Sequence, residues 1–134
     1  MSIKEMIKDH PQVGGDYNEQ LGEAVKHTMY GAAIMNSCAD ACLAEPNAGE
    51  RAQCIRRCLD ASDACTAFYR MASRRTGGNV AAIKAMGEAV LVAVEGCHAE
   101  CSMHEDAHCK RCATMCEEVR DDVRKALDAM IDAK

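Results

Sequence analysis

Aromatic residues are scarce in this sequence of 134 residues, which has no tryptophan, one phenylalanine and three tyrosines. Hydrophobic residues still make up 49% of the chain, so its interior has to be filled by alanine, valine, leucine, methionine and cysteine. Segments in which apolar and polar residues alternate, as in a half-buried β-strand, are also lacking. We therefore expect an all-α protein, and the length suits one domain with its own core.

Long apolar runs and an excess of basic residues are lacking as well. The longest run, residues 89–94, is much shorter than the roughly 20 apolar residues that a membrane-spanning helix needs, so we expect no membrane contact. The net charge of −5, without a basic stripe that contains aromatic residues, argues against a nucleic-acid partner. Because the first ten residues show no apolar stretch typical of a signal peptide, we expect a cytoplasmic protein.

Cysteine, in contrast, is abundant, with ten residues in all. In a reducing compartment they indicate metal ligands or redox groups before disulfides. Most occur as C-x-x-x-C pairs, whose side chains lie about 40° apart on a helix with Cβ atoms roughly 5 to 6 Å apart. A disulfide needs roughly 3.5 to 4.5 Å, so a bridging metal ion suits such a pair better. The candidate ligands are Cys38, Cys42, Cys54, Cys58, Cys65, Cys97, Cys101, Cys109, Cys112 and Cys116.

Capping residues and helix breakers divide the chain into one short helix and four long ones. Short connections make sequential long helices antiparallel, so we predict an antiparallel up-and-down four-helix bundle in residues 16–134. A short helix and a flexible joint at Gly14 and Gly15 precede it in residues 1–15. The predicted N-terminal caps are Ser2, Asp16, Asn47, Asn79 and either Asp106 or Ser102. The predicted helices are residues 2–9, 16–44, 47–75, 79–101 or 103, and 106 (or 102)–132.

The cysteines fall at one end of this bundle, because the first and third long helices end with cysteine pairs while the second and fourth begin with them. Cys65 should reach deepest, roughly 16 Å below Cys54 at about 1.5 Å per residue. The opposite half of the core should be ordinary apolar packing. Ten inward-facing thiols at one end are more than core filling by a small hydrophobic residue requires, so the pattern indicates a polythiolate metal site.

The choice of metal depends on softness and coordination number. Zinc needs separate tetrahedral sets of four ligands, which a helix presents awkwardly. Iron–sulfur proteins use cysteine runs that this sequence lacks. Cu(I) is soft and is held well by two thiolates, so ten cysteines in pairs bind about five ions, and bridging thiolates allow roughly twice as many. A thiol redox or metal-cluster protein, with iron–sulfur or zinc, remains the alternative function.

Histidines near the cysteines raise two further possibilities. Glu95 with His98 and Glu105 with His108 have the spacing of di-iron carboxylate bundles. However, Glu95 lies about 160° and His98 about 100° from the Cys97 face, so this interpretation is disfavoured. The remaining candidates are the residues at the turn between the last two helices, which form either a solvated loop or a set of ligands that receive metal. These residues are His98, Met103, His104 and His108, whereas His27 is expected to be a core histidine.

Together these residues resemble the copper storage proteins, cysteine-rich four-helix bundles that keep many Cu(I) ions in a thiol-lined core. The resemblance covers essentially the whole chain from Asp16 and is carried by the cysteines named above. It implies cytosolic storage or buffering of copper, which protects against copper toxicity, and no enzymatic activity. It also implies a homotetramer, uptake through His or Met at the open end, and a cytosolic copper chaperone as a candidate partner. The chain departs from fully thiol-lined members at His27, Met86 and Val90.

Overall fold

The computed structural model describes residues 1–13, 15–74 and 76–131, which form helices joined by short turns. Each long helix packs against two others, so that α2 and α4 both contact α3 and α5. This is the predicted all-α, antiparallel up-and-down four-helix bundle with a short N-terminal helix. The predicted joint residue Gly14 and the predicted helix ends at Arg75 and Asp132 lie outside the described residues. The helices are α1 Ile3–Lys8, α2 Glu19–Leu43, α3 Ala52–Ala72, α4 Val80–Cys101 and α5 Ala107–Ile131, with a 3-10 turn at Ala48–Arg51 before α3.

Two of the predicted helix starts illustrate how local capping works. Ser2 caps α1 as expected, because its side chain accepts a hydrogen bond from the Glu5 N–H at 3.2 Å. The expectation for α2 was wrong by two residues. Asn18 is the cap, accepting from the Leu21 N–H at 3.1 Å, whereas the Asp16 N–H donates to the Val13 carbonyl in the preceding turn.

The turn between α3 and α4 also differs from the prediction. Asn79 precedes α4 but makes no side-chain cap there. Its amide instead donates to the Met71 carbonyl at 3.2 Å and the Arg74 carbonyl at 2.6 Å, near the end of α3, and both carbonyls also accept backbone N–H groups of the turn. Gly77 allows the reversal with a positive φ of 78°. Asn79 therefore hydrogen-bonds to the C-terminal end of α3 and does not cap the N-terminus of α4.

The core has two chemically different halves. All ten cysteines are buried and carry free thiols. The other half is apolar, and burial of each of its large side chains contributes about 1.5 to 3 kcal/mol. Helices α4 and α5 approach closely there, since a methyl group added at Gly87 would lie 2.7 Å from Leu127 Cδ2. The larger buried side chains of this half are Leu21, Val25, Phe68, Ile83, Val90, Val123, Leu127 and Met130.

The outer surfaces of α1 and α4 are relevant to assembly. Ile7 of α1 and Val13 are buried against the bundle, and Lys4 forms ion pairs with Glu19 and Glu23 of α2. On α4, the apolar side chain of Val92 is 73% exposed, within the apolar segment 89–94. Among the described helices, none combines the length and the apolar character that crossing a lipid bilayer requires.

Candidate metal centre

Four cysteines, one from each long helix, meet in the centre of the thiol-lined half. Their sulfur atoms all lie within 4.8 Å of one another and are buried. Helical periodicity explains the convergence, because each of these side chains lies on the inward stripe of its helix. The four are Cys38 of α2, Cys58 of α3, Cys101 of α4 and Cys112 of α5.

Two further groups share members with this central one. Towards the end of the bundle, Cys38 joins Cys42, Cys109 and His108, and on the inner side Cys112 joins Cys97 and Cys116. A shared thiolate can bridge two metal ions. The arrangement therefore favours a cluster of neighbouring ions over isolated sites with separate ligand sets.

The sulfur–sulfur distances are consistent with thiolates around small metal ions. Cys58 Sγ lies 3.5 Å from Cys97 Sγ and 3.6 Å from Cys101 Sγ, and Cys97 Sγ lies 3.7 Å from Cys112 Sγ. At a metal–sulfur bond of about 2.3 Å, two sulfurs on one ion lie roughly 4 to 4.6 Å apart in trigonal or linear geometry. Small side-chain adjustments would thus place an ion between any of these pairs.

The protonation of the cluster is unevenly distributed. The pKa of Cys101 is held far below its usual value, because neighbouring thiols, first Cys112 and then Cys38, donate to its thiolate. Contact with Cys101 correspondingly raises the pKa of Cys112 and of Cys58. Hydrogen bonds among these thiols thus favour the ionisation of one thiol over that of its neighbours, and a cation that binds there displaces protons.

Cys65 is placed deepest, as predicted. Burial is the first cause that raises its pKa, to about 12, and the negative charge of Cys116 adds to the effect. Its sulfur lies 4.0 Å from the thioether of Met35. Met35 is itself fully buried, so the deepest thiol has a thioether as its sulfur neighbour.

Arg51 is a site residue that sequence reasoning missed. Its guanidinium group is buried, lies 3.7 Å from Cys109 Sγ, and pairs with Asp106 at 2.5 Å and with Asn47 Oδ1 at 2.8 Å. It therefore places a positive charge beside the thiols at the end of the bundle. The available signal was its position three residues before Cys54, which puts both residues on one side of the helix.

Of the turn residues His108, Met103 and His104, which were predicted to receive metal, only His108 contacts the thiols. His108 Nδ1 lies 3.3 Å from Cys38 Sγ and 3.6 Å from Cys109 Sγ. Burial acts to lower the pKa of His108, but the hydrogen bond and the charge of Cys38 outweigh it, so the pKa is raised. Met103 is 69% exposed, and the half-buried His104 belongs to none of the groups that His, Cys, Asp and Glu ligand atoms form among the described residues.

A cavity of about 550 Å³ opens on the side of the bundle and leads to Cys38 and His108. Ile34, Thr114 and Met115 form part of its wall, and the exposed Lys110 and Arg111 are also among its lining residues. The thiols near the end of the bundle can therefore be approached from the side as well as through the turn.

The di-iron interpretation finds no support in the geometry. Glu95 and Glu105 are exposed, and His98 pairs with Glu117 at 3.0 Å on the surface. His108 points to cysteine sulfur on one side and lies 3.7 Å from a Glu45 oxygen on the other. A carboxylate-bridged iron pair needs inward glutamates from facing helices, which these residues do not provide.

A four-helix bundle whose core holds ten free thiols, eight of them in overlapping groups, belongs to the class of helical polythiolate metal-binding proteins. The sequence model of the Csp family, copper storage protein, matches residues 17–128, and the chain belongs to this family. The family's role is storage rather than catalysis.

Solved structures of relatives agree with this assignment. The chain is similar to the copper storage protein Ccsp of Streptomyces lividans loaded with 10 copper equivalents, with 28% identity, a TM-score of 0.89 and coverage of 95% of this chain and 98% of that chain. A second structure of a cytosolic copper storage protein from Streptomyces lividans, with five coppers, is 31% identical with a TM-score of 0.81, covering 86% of this chain and 98% of that one. No curated protein sequence matches the chain.

Proposed function

We propose that this protein stores multiple Cu(I) ions on the cysteine thiolates of its core, in the cytoplasm, and so protects the cell from free copper. The observation that carries the proposal is the central group of four cysteines, one from each helix, which shares members with a group on either side. Copper is the cargo of this site, so the relevant properties are capacity, affinity and rate of exchange.

The chemistry of the site favours Cu(I) over the alternatives. Soft thiolates select Cu(I), which accepts two or three sulfur ligands and shares them readily with a neighbouring ion. Four of the cysteines could in principle hold Zn²⁺, but structural zinc sites are closed tetrahedra with four ligands of their own. Because the three groups overlap at Cys38 and Cys112, they cannot all hold zinc with separate ligands at the same time. A redox or zinc protein therefore fits the geometry less well.

We assign the copper ligands to two sets. The storage ligands are the ten cysteines, with a capacity of about five ions without sharing and roughly twice that with bridging thiolates. The receiving ligands are His108, which contacts Cys38, and the outer pair Met103 and His104 at the turn. Weak imidazole and thioether ligands would pass Cu(I) to thiolates that hold it more tightly.

The decisive experiment is an anaerobic titration of the reduced apoprotein with Cu(I) in competition with a chelator. We expect a colourless protein that withdraws several ions per chain. Replacing Cys58, Cys101 and Cys112 together by Ser should reduce the number bound, while Met86→Leu in the thiol-free half should leave it unchanged. A protein that takes up no copper, or that is isolated with a coloured cluster, would overturn the proposal.

The route of uptake is tested separately by rate. Replacing Met103, His104 and His108 together by Ala should slow Cu(I) uptake and leave the final number of ions nearly unchanged. His98→Ala is the matched control, because His98 pairs with Glu117 outside the thiol groups. Uptake at the unchanged rate by the triple variant would show that these residues are only a polar loop.

We further propose a homotetramer that assembles through α4 and receives copper from a cytosolic chaperone. The segment 89–94 is apolar on all sides, although a bundle helix needs only one buried stripe, and Val92 is largely exposed. Val92→Glu should shift the sedimentation coefficient to that of a smaller species, and the exposed Ala81→Glu should not. A wild-type monomer at micromolar concentration would contradict this assembly.

The proposed division of the chain assigns storage to residues 16–134 and makes residues 1–15 an N-terminal addition to the bundle. The family match, which begins at residue 17, supports this division. Ile7 and Val13 anchor the addition to the core.

A further inference from the structure

A second group of metal-ligating side chains lies in the cysteine-free half of the bundle. Glu23 and His27 of α2 and Asp122 of α5 bring one ligand atom each to within 4.8 Å of the others. His27 is eleven residues before Cys38 on α2, and Asp122 is six residues after Cys116 on α5, which corresponds to roughly 16 Å and roughly 9 Å along the two helices. The group shares no ligand with the thiol-lined core.

The spacing on α2 is favourable for chelation. Residues at i and i+4 lie on one face of a helix with Cβ atoms about 5 to 6 Å apart, the spacing by which two helical side chains bind one metal ion. Asp122 approaches from the neighbouring helix and completes a set of three protein ligands that leaves positions for water. A metal ion there would connect α2 and α5.

The environment of the His27 imidazole supports a metal ion at this group. His27 Nδ1 is shielded from solvent and has no hydrogen-bond partner among the described residues, although the His27 side chain is 27% exposed. The Asp122 carboxylate lies at ion-pair distance from Nδ1 without the alignment of a hydrogen bond, and Glu23 Oε2 lies 3.8 Å away. A buried nitrogen that faces two carboxylates in this way has the geometry of a metal ligand more than of a satisfied core histidine.

Carboxylates surround the group. Lys4 pairs with Glu19 and with Oε1 of Glu23, which leaves Oε2 facing His27. Lys8 and Lys26 also act on these carboxylates from farther away, so the negative charge available to a cation comes from the ligand oxygens of Glu23 and Asp122 themselves. The hydrogen bond from Lys4 lowers the pKa of Glu23, so its carboxylate is ionised at neutral pH.

We propose that Glu23, His27 and Asp122 bind one borderline divalent cation of the Zn²⁺ class, independently of copper storage. One imidazole and two carboxylates suit such ions, whereas Cu(I) selects sulfur. The protein would then separate two metals by ligand chemistry, with the soft monovalent ion on the thiols and the harder divalent ion between α2 and α5. A divalent ion at this site would cross-link α2 and α5 in the cysteine-free half of the bundle.

The test uses the Cu(I)-loaded protein, in which the thiols are occupied, and Zn²⁺ as the probe in isothermal titration calorimetry. We expect one Zn²⁺ per chain, with an affinity that falls at least roughly tenfold in His27→Ala and in the isosteric Asp122→Asn. His98→Ala is the matched control, because His98 also pairs with a carboxylate but lacks a third ligand, and it should bind Zn²⁺ like the wild type.

Co²⁺ identifies the ligand atoms. Absorption of bound Co²⁺ should lack the charge-transfer bands of cobalt–thiolate bonds, and these bands would instead indicate binding to residual thiols. Because Asp122→Asn preserves the shape of the side chain, its effect on binding does not depend on whether His27→Ala folds. Absence of stoichiometric Zn²⁺ binding, or equal binding by wild type and both variants, would overturn the proposal.

Discussion

At the scale of single residues, Cys65 links the chemistry of the core to its stability. Its pKa is raised to about 12 by burial, whereas a cysteine in an unfolded chain titrates near 8.5. Below about pH 8.5 the thiol is protonated in both states, so it has no effect on the free energy of unfolding. Above that pH only the unfolded chain loses the proton, and the folded state is disfavoured.

We therefore expect the free energy of unfolding of the apoprotein to fall between about pH 9 and 12. Cys65 alone should contribute about 1.4 kcal/mol per pH unit. Urea denaturation of the reduced wild type and of Cys65→Ala at several pH values measures this slope, and the variant should lose less stability per pH unit. Equal slopes would show that Cys65 titrates in the folded protein as it does in the unfolded chain.

Arg51 is the second residue whose environment leads to a prediction. It is buried between Asp106 and Cys109, and removing it leaves the Asp106 carboxylate and the end of the thiol cluster without their cation. Arg51→Met should therefore lower the midpoint of urea unfolding clearly more than Arg111→Met. Arg111 is exposed, and its replacement should change stability by no more than about 0.5 kcal/mol. Equal midpoints for the two variants would contradict a structural role for the buried guanidinium group.

The ten inward-facing cysteines were predictable one by one, because helical periodicity alone fixes the face on which each lies. Arg51 and the ligand role proposed for His27 were not predictable in this way. Their environment is created by residues from distant parts of the chain: Asp106 for Arg51, and Asp122 for His27. The periodicity of one helix does not predict which side chains of the neighbouring helix lie opposite it.

At the scale of helices, the types and the order of the elements followed from the sequence, while several starts did not. Asp16 and Asn79 have the right residue types for caps, but the chain before them turns in ways that occupy their polar groups elsewhere. Capping patterns involve only neighbouring residues in the sequence. The carbonyl groups at the end of α3 that bind the Asn79 side chain are brought near it only by the folded turn.

The close approach of α4 and α5 at Gly87 gives a prediction for this scale. Gly87→Ala would normally favour a helix by up to about 1 kcal/mol, but here the new methyl group meets three atoms of Leu127 within 3.2 Å. We expect a net loss of about 1 to 3 kcal/mol in unfolding free energy, measured by thermal denaturation. Gly49→Ala is the control, because nothing lies within 4 Å of its added methyl group, and it should be neutral or slightly stabilising. A stabilised Gly87→Ala would mean that the two helices separate easily.

At the scale of the whole molecule, we expect the apolar half of the core to keep the protein folded without metal. Phe68, Ile83 and Val90 are fully buried together with the thiols, which themselves pack as small hydrophobic groups. The reduced, metal-free protein should therefore show the circular dichroism of a helical bundle. Copper should raise its melting temperature without adding helix, because the ions bind only the folded state. Loss of helix on removal of the metal would show that copper builds the bundle.

The bundle is lined with thiols at one end and filled with apolar side chains at the other, so the thiol-lined space is closed at its inner end. If copper binds the thiols as proposed, the ions that arrive first should move inward as far as Cys65 and no further, because Phe68 and Val90 fill the space beyond. Later ions should then stay nearer to His108. Ions that bind early should therefore lie deeper in the core than ions that bind late, and the ions that bind last should be released first. If the protein is loaded with one stable copper isotope and then with another, the first copper that a chelator removes should be enriched in the second isotope.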